Sequence, residues 1–247
     1  MMNNVLQIEN LAYTYPDGTE ALKDFSLTLP AGGCAALVGP NGAGKTTLML
    51  ILAGFLDPAG GRVMVDGLEL NRANTATIRA RTGFLFQNPD DQLFMPTVLE
   101  DVCFGPLNAG VPPAAALDRA RALLGELGLT AVGDKFPGHL SMGQKRLAAL
   151  AGALATDPRL LVLDEPSAFL DPRARRHLIE RLRALSPARL IVTHDLELAV
   201  ELCAQVTVLD AGRIVAAGAP AEVFADEVFM AAHGLETPHI LRHRHPH

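Results

Sequence analysis

The apolar run from Ala35 to Val38 leads into GPNGAGKTT, Gly39 to Thr47. Glycine at three of the first six positions lets consecutive backbone N–H groups turn toward one point with no side chain in the way, which is what an anion requires. A helix beginning here adds the positive end of its dipole. Gly39, Pro40, Asn41, Gly42, Ala43 and Gly44 therefore line a polyphosphate, Lys45 reaches its β- and γ-phosphates, Thr46 sets a hydroxyl on Mg²⁺, and Thr47 completes the loop. A glycine turn with a solvated lysine is the plainer alternative, and the strand before and helix after argue against it.

Three further groups could act on such a ligand. RLLVLDEP, Arg159 to Pro166, ends an apolar run in adjacent carboxylates: Asp164 can hold Mg²⁺ through water, and Glu165 can polarise an attacking water. IVTHD, Ile191 to Asp195, puts His194 at the end of another apolar run, where its imidazole can donate to a γ-phosphate. In LSMGQ, Leu140 to Gln144, Ser141 can cap a helix and offer a hydroxyl, Gly143 opens the backbone to an anion, and Gln144 closes the motif.

The elements that must hold these residues are legible from pattern. Alternating runs at Val5 to Tyr15, Phe25 to Leu29 and Arg62 to Asp66 predict antiparallel strands. Continuously apolar runs at Ala35 to Val38, Leu160 to Leu163 and Leu190 to Val192 predict a parallel sheet covered on both faces. Helices over Lys45 to Ala53, Pro172 to Leu185 and Leu196 to Cys203 supply the cover, and Pro112 to Ala155 reads as a helical insertion. Val206 to Ala217 predicts a hairpin turning at Asp210, Ala211 and Gly212, after which the pattern weakens toward a frayed end.

Composition bounds the rest. The 247 residues are 49% hydrophobic, enough for a sizeable core, and 21 basic against 27 acidic side chains leave a net charge of −6. That balance opposes a general grip on nucleic acid or anionic lipid. Cys34, Cys103 and Cys203 form no CxxC pair, so neither a zinc ribbon nor a disulfide framework is indicated, and a reducing compartment is expected. No apolar run approaches the ~20 residues that span a bilayer, and the N-terminal residues do not read as a secretory leader.

With the phosphate loop, Asp164–Glu165 and His194 in the same order, LSMGQ resembles the ATP-binding-cassette (ABC) ATPases, over about Val5 to Pro238. The resemblance implies an α/β P-loop NTPase fold: a RecA-like parallel core, an N-terminal antiparallel subdomain and an α-helical subdomain inserted at about 90–155. The cassette occupies 1–218, and 219–247 forms an extension with a histidine-rich tail. It implies that Tyr15 stacks on adenine and that Gln87 couples nucleotide to transporter while standing near the metal and the reaction. The loop from Ser167 to Asp171 links the two ATP sites of a head-to-tail dimer, in which LSMGQ meets the partner's γ-phosphate. Met142 and Leu147 depart from the commonest pattern, which has glycine and arginine there.

Gln87 to Asn108 and Pro220 to Pro238 are similar to the ATPase subunits of energy-coupling-factor (ECF) transporters for cobalt and nickel. The implied assembly is a homodimer or paired ATPase with an integral transmembrane coupling protein and a substrate-binding subunit, peripheral on the cytoplasmic face of the membrane, without nucleic acid. An ECF ATPase for vitamins, a soluble non-transport cassette and a phosphate-loop kinase are the rivals. Pro89 to Pro96 offers an acidic and aromatic surface for a partner helix, with Leu93 and Phe94 poorly suited to solvent alone. His233, His239, His243, His245 and His247 read as a solvent-exposed chain end, with Ni²⁺ or Co²⁺ ligation as the alternative. The arginines between Arg173 and Arg183 read as the solvated face of a helix.

Overall fold

The computed structural model describes residues 4–242. The first elements are β1 (Asn4–Thr14), β2 (Glu20–Pro30), β3 (Cys34–Val38), α1 (Lys45–Leu52), β4 (Gly60–Val65) and β5 (Leu68–Glu69). After α2 (Thr75–Arg81) and β6 (Thr82–Leu85) come α3 (Val98–Asn108), α4 (Pro113–Glu126), α5 (Met142–Leu154), β7 (Leu160–Asp164) and α6 (Pro172–Ala184). The chain closes with β8 (Ala188–Val192), α7 (Leu196–Leu202), β9 (Gln205–Asp210), β10 (Arg213–Gly218), α8 (Pro220–Val223), α9 (Glu227–Ala232) and α10 (His239–Arg242). Two compact units result, one from residues 1–79 and 187–247, the other from 80–186.

In the first unit β2, β1, β4 and β5 form an antiparallel sheet, as the alternation predicts, with Leu6, Ile8, Leu11, Phe25 and Val63 on its buried face. The fully buried strand β3 pairs in parallel with β8 on one side and β9 on the other, and β10 adds an antiparallel edge. Continuous apolar sequence in β3 and over Leu190 to Val192 of β8 thus corresponds to burial on both faces. Cys34 and Cys203, 169 positions apart in sequence, bring their free thiols to 3.2 Å in this core.

The second unit carries the parallel pair β6–β7 and the helices α3, α4, α5 and α6. Strand β6 can lie against α5 only because residue 83 is glycine: a Cβ there would be 2.5 Å from the Ala153 carbonyl oxygen. The segment from Gln87 to Asn108 is more helical than its pattern suggests. Thr97 and Glu100 build a capping box, Glu100 N–H to Thr97 Oγ1 and Thr97 N–H to Glu100 Oε2, that starts α3.

The region after Gly218 is also more ordered than the sequence pattern suggests. Phe224 and Met230 are fully buried, and the half-buried His233 meets Asp210 through Nδ1 to Oδ2 at 2.7 Å, so His233 is tied to the folded unit and not part of a loose tail. His243, His245 and His247 lie outside the described residues. Ending the chain after Pro238 removes four histidines and none of these contacts, so hydrolysis and melting temperature stay near the parent's values. Ending it after Gly218 strips, among others, the buried Phe224 and Met230 side chains, worth about 2 kcal/mol each, and lowers the thermal midpoint. A chain cut at Gly218 that melts with the parent would contradict this packing.

Candidate functional site

Strand β3 runs directly into the phosphate loop. Gly39, with φ 151°, passes so close to β9 that a Cβ would overlap the Leu209 carbonyl oxygen, so no other residue fits there. Asn41 and Gly42 form the exposed crest, Pro40 is half-buried, and Ala43 and Gly44 are buried at the descent. Gly44 (φ 111°) starts α1 without any side-chain cap, which leaves the first N–H groups of the helix directed at an incoming anion. Lys45, 9% exposed, lies across the loop with Nζ donating to the carbonyl oxygens of Gly39 (2.6 Å) and Pro40 (2.8 Å).

The two threonines differ. The Thr47 hydroxyl is buried and bonded to the Tyr15 phenol at 3.0 Å, whereas the Thr46 side chain is exposed. Thr46 is therefore the better placed to ligate a cation, and Tyr15, edge-on to Tyr13, is fixed beside the loop. Thr193 N–H bonds the Leu37 carbonyl oxygen at 3.1 Å, so His194 leaves β8 at the same strand edge at which the loop leaves β3. Asp195 caps α7 through Leu198 N–H (2.9 Å), which holds the exposed His194 between a buried threonine and a helix start.

The C-terminal segment also reaches this region. A Cβ on Gly234 would stand 3.9 Å from Pro40 Cβ, and His194, Asp195, Glu197, Glu236 and His239 line a cavity of about 390 Å³. Among the described residues no group of three or more His, Cys, Asp or Glu side chains is arranged to hold a metal ion. His233 itself escaped sequence reasoning as a packing residue, because its partner Asp210 is 23 positions away and no local pattern links them.

In the second unit Leu85 pairs with Leu163, so Gln87 and the Asp164–Glu165 pair emerge from one edge of the β6–β7 pair. Gln87 is exposed, while Asp164 and Glu165 are half-buried. Glu165 has φ 45°, a conformation costly for a side-chain-bearing residue and concentrated at functional sites. Phe169 shares it at φ 62° while 79% exposed. At the start of α5, Ser141 and Gln144 form a reciprocal capping box, Gln144 N–H to Ser141 Oγ (3.3 Å) and Ser141 N–H to Gln144 Oε1 (3.0 Å). Gly143 brings this end against α6, with Ala174 Cβ 3.2 Å from where its own Cβ would be. Leu147 walls a cavity of about 300 Å³ together with Leu170, Ala174 and Leu178. The guanidinium of this helix lies one residue earlier, at the fully buried Arg146.

The expected residues thus fall into two sets. Tyr15, Gly39 to Thr47 and His194 gather in the first unit, and Gln87, Ser141, Gly143, Gln144, Asp164 and Glu165 in the second. The first set offers uncapped helix N–H groups, a buried ammonium and an imidazole, groups suited to holding phosphate, and the second offers two carboxylates, groups suited to a cation or a water.

Comparison with known proteins agrees. The ABC transporter family model matches residues 22–168, and a shorter AAA-domain model matches 136–201. The chain is 48% identical over 235 residues to a Gloeobacter violaceus protein provisionally named an ABC transporter ATP-binding protein, covering 94% of this chain and 96% of the relative. It is 41% identical over 239 residues to the energy-coupling factor transporter ATP-binding protein EcfA of Methanothermobacter thermautotrophicus, covering 95% and 77%. The structure of cbiO1 from Clostridium perfringens, part of the ABC transporter complex cbiONQ, superposes with TM-score 0.84 at 35% identity over 97% of this chain and 98% of that one. A dimeric cassette, MJ0796, bound to ADP and Pi, gives 0.77 at 25% identity over 87% and 98%. The chain belongs to the ABC transporter family, as an ATP-binding subunit with the ABC ATPase fold.

Proposed function

We propose that this ATPase drives uptake of Co²⁺ or Ni²⁺ through integral membrane partners, a transmembrane coupling protein and a substrate-binding subunit, from the cytoplasmic face of the membrane. The observation that carries the coupling is a ledge in the segment that follows Gln87. Phe94 is 61% exposed and packs edge-on to Phe104 at 4.9 Å, with Leu107 also exposed. Buried Asp101 fixes it by accepting Phe94 and Met95 N–H at 3.0 Å each. Such a ledge suits an amphipathic helix of a membrane subunit better than water does. No helix among the described residues is long and apolar enough to cross a membrane. The metal cargo is supported by the resemblance of the segment from Gln87 to Asn108 to ATPase subunits of cobalt and nickel transporters. The likeness to EcfA supports an energy-coupling-factor ATPase in either case, and vitamin uptake is the rival reading.

In this reading the N–H groups of Gly39 to Thr47 and Lys45 hold the phosphates, and Tyr15 stacks on adenine. Glu165 takes a proton from the attacking water, and His194 donates to the γ-phosphate. Thr46, Asp164 and Gln87 would hold Mg²⁺, which neutralises phosphate charge when bound. Ser141, Gly143 and Gln144 present a second helix N-terminus to the γ-phosphate held by a partner copy, so that two ATP molecules lie in a two-fold interface.

Two experiments test this. Purification from native membranes, followed by uptake assays with labelled Co²⁺, Ni²⁺ and vitamins in vesicles, identifies the partners and the cargo; recovery without integral subunits removes the transport reading. Ser141→Arg replaces an exposed cap with a cation at the end that meets phosphate. ATP binding by the single chain is retained, and the ATP-dependent dimer is lost on sizing chromatography. A normal dimer would refute the role in trans.

A further inference from the structure

Arg146 is fully buried, which is rare for a guanidinium. It follows the capping Gln144 by two residues on α5, and its two terminal nitrogens go to different loops. Nη1 donates to the Phe86 carbonyl oxygen (3.4 Å), the residue before Gln87, and Nη2 to the Ala168 carbonyl oxygen (3.0 Å), three residues past Glu165. Burial pulls its pKa below the usual arginine value, and the nearby carboxylates of Asp164 and Glu165 oppose that shift. Its neighbour Lys145 pairs with Asp90 at 2.6 Å, so α5 holds the Gln87 segment on both sides.

We propose that Arg146 is a positioning residue, a guanidinium clamp that spaces the Gln87 loop and the Glu165 loop against the helix bearing Ser141, Gly143 and Gln144. The planar fork of arginine can reach two carbonyl groups at once, and the single ammonium of lysine cannot match that geometry. Both contacts are to backbone, so the clamp sets where the loops run whatever their side chains. Moving Glu165 by a fraction of an ångström spoils its line to the attacking water, and turnover is sensitive to such shifts. The left-handed backbone at Glu165 needs surrounding contacts to sustain it, and the bond to Ala168 is one of them. A purely structural arginine, by contrast, would act on melting temperature and not on the chemical step.

This inference rests on Glu165 being the base, and the test separates the two. In the full chain, Arg146→Lys lowers kcat about tenfold with KM for ATP within about twofold, and Arg146→Met lowers kcat about 100-fold. In a Glu165→Gln background, Arg146→Lys reduces the residual single-turnover rate by less than about twofold, because the step it serves is already lost. A folded Arg146→Lys protein with parental kcat overturns the proposal. So does a full multiplicative loss in the double variant when Glu165→Gln alone is impaired, which leaves the base assignment standing. Parental turnover in Glu165→Gln alone overturns the base assignment instead. Should Arg146→Met fail to fold, the lysine and double variants decide the matter.

Discussion

In the Glu165→Gln variant ATP binds with the parent's affinity while hydrolysis falls about 10²- to 10⁴-fold, the range that removal of a general base produces. The amide keeps the size and the left-handed backbone of Glu165 but cannot accept the proton that the attacking water must lose. Since the contacts proposed to close the dimer depend on an intact γ-phosphate, an ATP-bound dimer accumulates and is visible by sizing chromatography with nucleotide analysis of the peak. Steady-state hydrolysis at the parental rate would move the base elsewhere.

Lys45→Ala weakens ATP binding about 100-fold by calorimetry, the scale of losing charge-assisted hydrogen bonds to phosphate. The lysine is already drawn across the loop to the Gly39 and Pro40 carbonyl oxygens, so its ammonium is held at the phosphate loop before any ligand arrives. The fold of the loop does not depend on it alone: the Gly39 approach to Leu209, and Gly212 N–H to the Ala43 carbonyl oxygen at 3.0 Å, remain. The variant therefore melts near the parent without nucleotide and loses the stabilisation that ATP confers. Undiminished affinity would sink the phosphate-loop assignment.

Much of the site was legible because its motifs are local. The phosphate loop needs glycine where backbone approaches backbone, and Gly39 against Leu209 bears that requirement out at one position. The Ser141–Gln144 capping box is likewise written in four consecutive residues. Thr97 and Glu100 carry the same spacing, and reading it would have found α3, whose internal Pro106 disguises the helix. Strand β6 was missed for a different reason: four residues including a glycine are too short for periodicity to register.

By itself, then, the sequence carried the phosphate-loop motif, the order of the strands' carboxylates and imidazole, and membership of a family, since each depends on neighbours within a few residues. Tertiary structure decided which side chains are buried together across long separations. Arg146 looks like any helix arginine until Phe86 and Ala168 close over it, 60 and 22 positions away. His233 looks like part of a histidine-rich end until Asp210 meets it. Burial turns a solvated charge into a structural one, because water can no longer supply its hydrogen bonds and specific protein groups must. Which groups those are depends on the packing of segments distant in the chain.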